Sequence, residues 1–161
     1  MVELEFPELL RKNHVKMMIH KELNVLKEDA TLEQCIDSLN KNNVSYCVIV
    51  DNNNNLIGLI TENDILQHAA QGTYSKTIKV KDVVKKNPEI TFYEESIASV
   101  VKKMYKNGFR QLPILDQNDK TKVLGVVSVR DFISHLIEYF PETVYNVAPG
   151  QKLSTERPEG A

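Results

Sequence analysis

Two short stretches hold the residues best suited to binding chemistry: Thr61-Glu62-Asn63-Asp64 and Ser128-Val129-Arg130-Asp131. In each, a hydroxyl residue is followed three positions later by an aspartate, and an apolar helical pattern follows. That spacing is a helix-capping arrangement, in which hydroxyl and carboxylate trade hydrogen bonds with N–H groups at the helix start, and capping alone accounts for either stretch taken singly. The same geometry can also bind a ligand. A helix start presents free N–H groups and the positive end of the helix dipole. A carboxylate held there can accept hydrogen bonds from both hydroxyls of a vicinal diol such as that of a ribose.

Two arginines stand close by. Arg130 immediately precedes Asp131, and Arg110 interrupts a strand pattern that otherwise reads as core. Each is either a surface ion-pair member of small energetic weight or a contact for an anionic group. The four histidines make no metal pattern: His14 and His20 are six apart and off one helix face, while His68 and His135 each follow an aspartate by four residues. The latter two suit helix packing or a dimer contact better than a ligand contact. No nucleophile–base pairing and no Gly-rich phosphate loop appears, so no reaction and no catalytic residue is expected.

What positions these residues is a duplication. At a shift of 65, Val15-Lys16 falls on Val80-Lys81, Lys21 on Lys86, Lys41-Asn42 on Lys106-Asn107 and Asp51 on Asp116. A two-residue longer turn in the second copy then changes the shift to 67, and Gly58, Thr61, Asp64 and His68 meet Gly125, Ser128, Asp131 and His135. A unit of this length is a duplicated half-domain, not a short solenoid repeat.

Each copy reads β-α-β-β-α. A short strand is expected at Asn24 to Leu26 and at Glu89 to Phe92. The apolar stripes Leu32, Cys35, Ile36, Leu39 and Ile97, Val100, Val101, Met104 follow helical spacing. Thr31 with Gln34 forms a capping-box start and Ser96 caps the second helix; Asn43 and Gly108 are left-handed stops. Hairpins follow, with strands Val44 to Val50 and Leu56 to Ile60, then Phe109 to Leu115 and Val123 to Val127. The closing helices cover roughly Glu62 to Ala70 and Arg130 to Tyr139. The expected division is a lead-in at 1–14, a first unit at 15–76, a second at 80–140 and a partly disordered tail at 141–161. Gly72 to Lys79 form the link.

The chain's 161 residues suffice for one domain or two fused halves without a disulfide or metal staple. A formal charge of −2 argues against a general nucleic-acid binder. Lys76 to Arg110 nevertheless carries nine basic residues against four acids, a solvated face or a local field for a phosphorylated ligand. Cys35 and Cys47 lie in apolar patterns and read as reduced core residues. With no leader pattern and no membrane-length apolar run, a soluble cytoplasmic protein is expected.

The tandem β-α-β-β-α unit, the strand ending Leu112-Pro113-Ile114-Leu115-Asp116, and Gly-apolar-apolar-Ser/Thr-x-x-Asp twice over resemble the CBS (cystathionine-β-synthase) domain pair, or Bateman module. The likeness spans about Val15 to Phe140 and implies an α+β fold of two repeats packed with pseudo-twofold symmetry. It further implies a non-catalytic, stand-alone regulatory module that binds adenine nucleotides (AMP, ADP or ATP) in clefts between the repeats and controls a separate partner protein. A homodimer is expected, with no cofactor or metal beyond the adenosine-containing ligand, and no membrane or nucleic-acid partner. By resemblance, Asp64 and Asp131 hold riboses, with Thr61 and Ser128 nearby. Arg110 and Arg130 contact phosphate, and Val25, Ile90, Val44 and Phe109 flank the base. The first copy departs from the pattern: Ser45, Val48 and Asn63 stand opposite Arg110, Pro113 and Arg130. The Asp64 cleft, which would share both arginines, is therefore expected to be the better nucleotide site. Two alternatives remain open: another adenosyl ligand such as S-adenosylmethionine or NAD, or a ligand-free oligomerisation scaffold in which the two motifs are only caps.

Overall fold

A computed structural model describes residues 6–19 and 22–139. A lead-in helix α1 (Phe6–Lys12) precedes the first copy, which opens with a 3-10 turn (Val15–Met18) and continues with β1 (Val25–Lys27), α2 (Leu32–Asn42), β2 (Tyr46–Val50), β3 (Leu56–Thr61) and α3 (Glu62–Ala70). The second copy opens with a single helical turn α4 (Val80–Val83) and β4 (Lys85–Lys86). It continues with β5 (Thr91–Phe92), α5 (Ile97–Asn107), β6 (Gln111–Leu115), β7 (Val123–Ser128) and α6 (Val129–Tyr139). The β-α-β-β-α order is present twice, and the fold is the mixed α/β pair of repeats expected.

Local chemistry sets the helix boundaries. The Thr31 hydroxyl accepts the Gln34 N–H while the Gln34 side chain accepts the Thr31 N–H, completing the capping box. Such a cap contributes about 1 kcal/mol. Asn43 (φ 50°) and Gly108 (φ 70°) both take the left-handed conformation that ends a helix. After Asn43, the Val44 N–H turns back to the Leu39 carbonyl at 3.2 Å. The following strands therefore begin later than the β-branched run suggests, at Tyr46 and Gln111, and Val44 and Phe109 lie on the connections before them.

Two sheets result, ordered β1-β2-β3-β4 and β5-β6-β7. In each, the short first strand runs parallel to the second, which pairs antiparallel with the third. All five residues of β2 are buried because both of its faces are covered. Cys47 and Ile49 pack with Leu32, Cys35 and Leu39 of α2, whereas Tyr46, Val48 and Val50 pack with Leu59 and with Val126 of the other half. Each fully buried Val or Ile contributes roughly 1.5–3 kcal/mol, so this central cluster binds the halves together.

The lead-in segments are exchanged between copies. Val15 and Met18, from the start of the first copy, sit in the core of the second with Ile97, Val100, Leu112 and Ile114. Val80 and Val84, from the start of the second copy, sit in the core of the first. The backbone bonds that hold them match at the shift of 65: Val15 N–H to Glu95 O and Val80 N–H to Ala30 O, then Lys16 N–H to Tyr93 O and Lys81 N–H to Glu28 O. The ion pairs match too, Lys16 with Glu94 and Lys81 with Asp29, both at 2.7 Å. None of this exchange was foreseen from the sequence, and it brings β4 onto the edge of the first sheet, where Leu59 faces Lys85 and Gly58 faces Lys86.

Candidate functional site

Both aspartate motifs cap their helices as expected, and each cap uses only one carboxylate oxygen. Asp64 Oδ2 accepts the Thr61 N–H (2.9 Å) and the Thr61 hydroxyl (2.7 Å); Asp131 Oδ2 accepts the Ser128 N–H (2.7 Å) and hydroxyl (2.6 Å). The Thr61 and Ser128 hydroxyl protons are thus committed to the neighbouring carboxylates, and their oxygens accept the Asp64 and Asp131 N–H groups. The remaining oxygens differ. Asp64 Oδ1 pairs with Lys85 Nζ at 2.9 Å. Asp131 Oδ1 takes no hydrogen bond or ion pair from any described residue. Burial pushes the Asp64 carboxyl up, but Lys85 and the two Thr61 bonds outweigh it and hold the group below its ordinary range.

The residues expected at two clefts line one continuous cleft of about 1250 Å³ between the halves. Thr61, Asp64, Ser128, Asp131, Arg110, Arg130, Val44 and Phe109 all face it, together with Ser45 and Asn63 at the positions matching the arginines. Val25 and Ile90 are not among its lining residues; Val25 is 41% exposed on β1. Leu59, Val126, Met18 and Ile19 are among its apolar lining. Arg110 and Arg130 make no side-chain hydrogen bond or ion pair with any described residue. The Arg110 backbone is fixed, since its carbonyl accepts the Val129 N–H at the start of α6, just as Ser45 O accepts the Glu62 N–H at the start of α3. Across the cleft floor, Gln111 Nε2 donates to Ser45 Oγ at 2.6 Å and links the halves.

Among the lining residues that sequence reasoning missed, Tyr46 and Lys85 stand beside the aspartates. Tyr46 is buried, and burial and then the Asp131 charge push its phenol above the ordinary range. Lys85 arrives on the exchanged segment. A signal for it existed in Gly58: a Cβ there would run into the Lys85 carbonyl oxygen and lie 2.6 Å from Val84 Cγ2, so glycine is required where β4 crosses β3. The first-copy position that matches Lys85 is His20, which lies outside the described residues, as does the 141–161 tail.

The other candidates resolve simply. His68 Nδ1 meets Thr73 Oγ1 at 2.9 Å, His14 Nδ1 lies 3.7 Å from Glu94, and His135 is buried in α6. Cys35 and Cys47 are free, fully buried thiols. Among the described residues no group of three or more His, Cys, Asp or Glu could hold a metal ion, and no helix is long and apolar enough to cross a membrane.

Comparison with known proteins agrees with this architecture. An uncharacterised protein of Methanocaldococcus jannaschii is 28% identical over 122 residues, 76% of this chain; the chain spans 42% of that protein's length. A Pyrobaculum aerophilum CBS domain protein complexed with AMP superposes with a TM-score of 0.70 at 20% identity, over 79% of this chain and 98% of that one. A CBS domain pair in complex with 5′-methylthioadenosine and S-adenosyl-L-methionine gives 0.69 at 26% identity, over 78% and 96%. With the CBS domain matched at residues 15–71 and again at 80–138, the chain belongs to the CBS domain family.

Proposed function

We propose that the cleft between the repeats binds an adenine nucleotide and that the chain is a non-catalytic regulatory module acting on a partner protein. One observation carries the reading: two guanidinium groups without partners among the described residues line the same cleft as two helix-capping carboxylates. Asp64 and Asp131 take ribose hydroxyls, Arg110 and Arg130 take phosphate, and the base lies against Val44 and Phe109. The Asp64 end, with Lys85 added to the two arginines, is the stronger nucleotide position. Ligand binding regulates by favouring one arrangement of the halves or of a homodimer, which requires that it bind that arrangement more tightly. Self-association would use the apolar side chains that α3 and α6 expose, Leu66 at 67% and Ile133 at 48%.

Calorimetry with AMP, ATP and S-adenosylmethionine tests the proposal. Charge-assisted bonds contribute about 1.5–3 kcal/mol, so Arg110→Ala is expected to weaken AMP by at least tenfold. Asp64→Ala should remove the main binding event. If no adenosyl compound binds, the module is a scaffold and its two motifs are caps alone. A second reading, an S-adenosylmethionine site, is favoured by the four carboxylates that line the cleft (Glu62, Asp64, Glu89 and Asp131) and would suit a cationic ligand. Binding of that compound that survives Arg110→Ala would select it.

A further inference from the structure

Among the described residues the two capping aspartates differ in one contact, and that contact lies in the cleft. The Asp64 side chain is only 15% exposed, and the oxygen that its cap leaves over is held by Lys85, whose own side chain is 75% exposed. Asp131 has no such partner among the described residues. Asp64 Oδ2 already accepts two bonds, so a diol that donates both of its hydroxyls to Asp64 needs both acceptor sites of Oδ1 and must take over the one that Lys85 fills. The displaced ammonium is then left in a cleft whose other two cations, Arg110 and Arg130, stand at the proposed phosphate position. A ligand bearing phosphate gives Lys85 a new anion in exchange for the carboxylate. A nucleoside without phosphate breaks the pair and returns nothing.

We propose that Lys85 is the residue through which the Asp64 end of the cleft selects phosphorylated over unphosphorylated adenosyl ligands. It acts by exchanging its partner from carboxylate to phosphate. The flexible four-carbon stem and compact charge of lysine suit such a transfer better than a planar guanidinium would. This inference rests on the nucleotide reading of the cleft. The arginines attract phosphate; Lys85 adds a penalty on ligands without it, because among the described residues neither arginine holds a carboxylate that a ligand would have to displace.

The test is calorimetry of AMP and adenosine against the full chain and against Lys85→Met and Lys85→Arg, each in an Asp131→Asn background so that the Asp64 end is read. Lys85→Met is expected to weaken AMP about tenfold, the loss of one charge-assisted bond. It should tighten adenosine a few-fold, since an exposed ion pair of small weight no longer competes. Lys85→Arg should restore AMP. Opposite signs for the two ligands are the signature. A parallel weakening of both, or no change in either, overturns the proposal while leaving the nucleotide reading intact. If the unsubstituted chain binds neither AMP nor adenosine, the nucleotide reading itself fails, and the selection fails with it.

Discussion

The two strand-to-helix junctions have the same backbone and different electrostatics. At Thr61–Asp64 and Ser128–Asp131 the cap bonds repeat atom for atom, to within 0.2 Å. The cleft residues around them do not repeat: Ser45 and Asn63 stand opposite Arg110 and Arg130, and Lys85 occupies Asp64 but nothing described occupies Asp131. Duplication therefore preserved what folds each half and let the charges that face a ligand diverge. In one chain this separates scaffold from specificity, which a single junction could not do.

The comparison breaks most visibly at the two motif glycines. Gly58→Ala is expected to cost about 3 kcal/mol, because the new Cβ meets backbone as well as Val84 and neither can move cheaply. Among the described residues a Cβ at Gly125 comes nearest the Ile19 side chain, at 3.2 Å, and on that contact Gly125→Ala should cost less than about 1 kcal/mol. Urea midpoints measure both, and equal losses would remove the distinction between the crossings. Next in size are the exchanged segments. Val80→Ala should cost about 2 kcal/mol and speed amide exchange in α2 and β2, in the half that does not contain it in sequence. Val15→Ala should do the same to α5 and β6. Exchange that quickened only next to the substitution would contradict the exchange of segments.

The smallest effect sharpens a difference in acid response. Burial raises the Glu95 carboxyl, but Lys103, Ser99 and Thr91 outweigh it, and its folded pKa lies below the ordinary glutamate value. Above that ordinary value, roughly pH 4, the unfolded chain holds no extra proton and the full contribution is present. As pH falls through that value toward the folded pKa, the unfolded state binds the proton first and the contribution is lost. Ala30 stands at the matched place in the first copy. Glu95→Gln should lower stability by about 1 kcal/mol at neutral pH, with the gap narrowing as pH falls below the ordinary glutamate value. A gap that stayed constant with pH would place the effect in packing instead.

Legibility followed the range of the interactions. Capping boxes, left-handed stops and hairpins are local, so Thr31, Asn43, Gly108 and the two aspartate motifs identified their elements directly. Strand starts slipped because Val44 and Phe109 have β-branched or aromatic character yet follow a left-handed residue that bends the chain first. The turns Val15–Met18 and Val80–Val83 and the two-residue β4 escaped because four or two residues carry no period, and their apolar partners lie in the other copy. Lys85 escaped for the same reason: it is 21 residues from Asp64 in sequence. The assignment of Val25 and Ile90 to a base pocket rested on resemblance alone; neither is among the residues that line the cleft, whose apolar wall includes Leu59 and Val126.

The exchanged lead-ins make this chain its own swapped dimer. Each half's core is completed by residues it does not own, as when two single-repeat proteins trade arms and are later joined end to end. Cut between Gly72 and Lys79, the chain would yield two fragments, each carrying the piece the other lacks. Neither could close its core alone, and mixing them should rebuild both halves at once. The link between the repeats is then less a hinge than a suture.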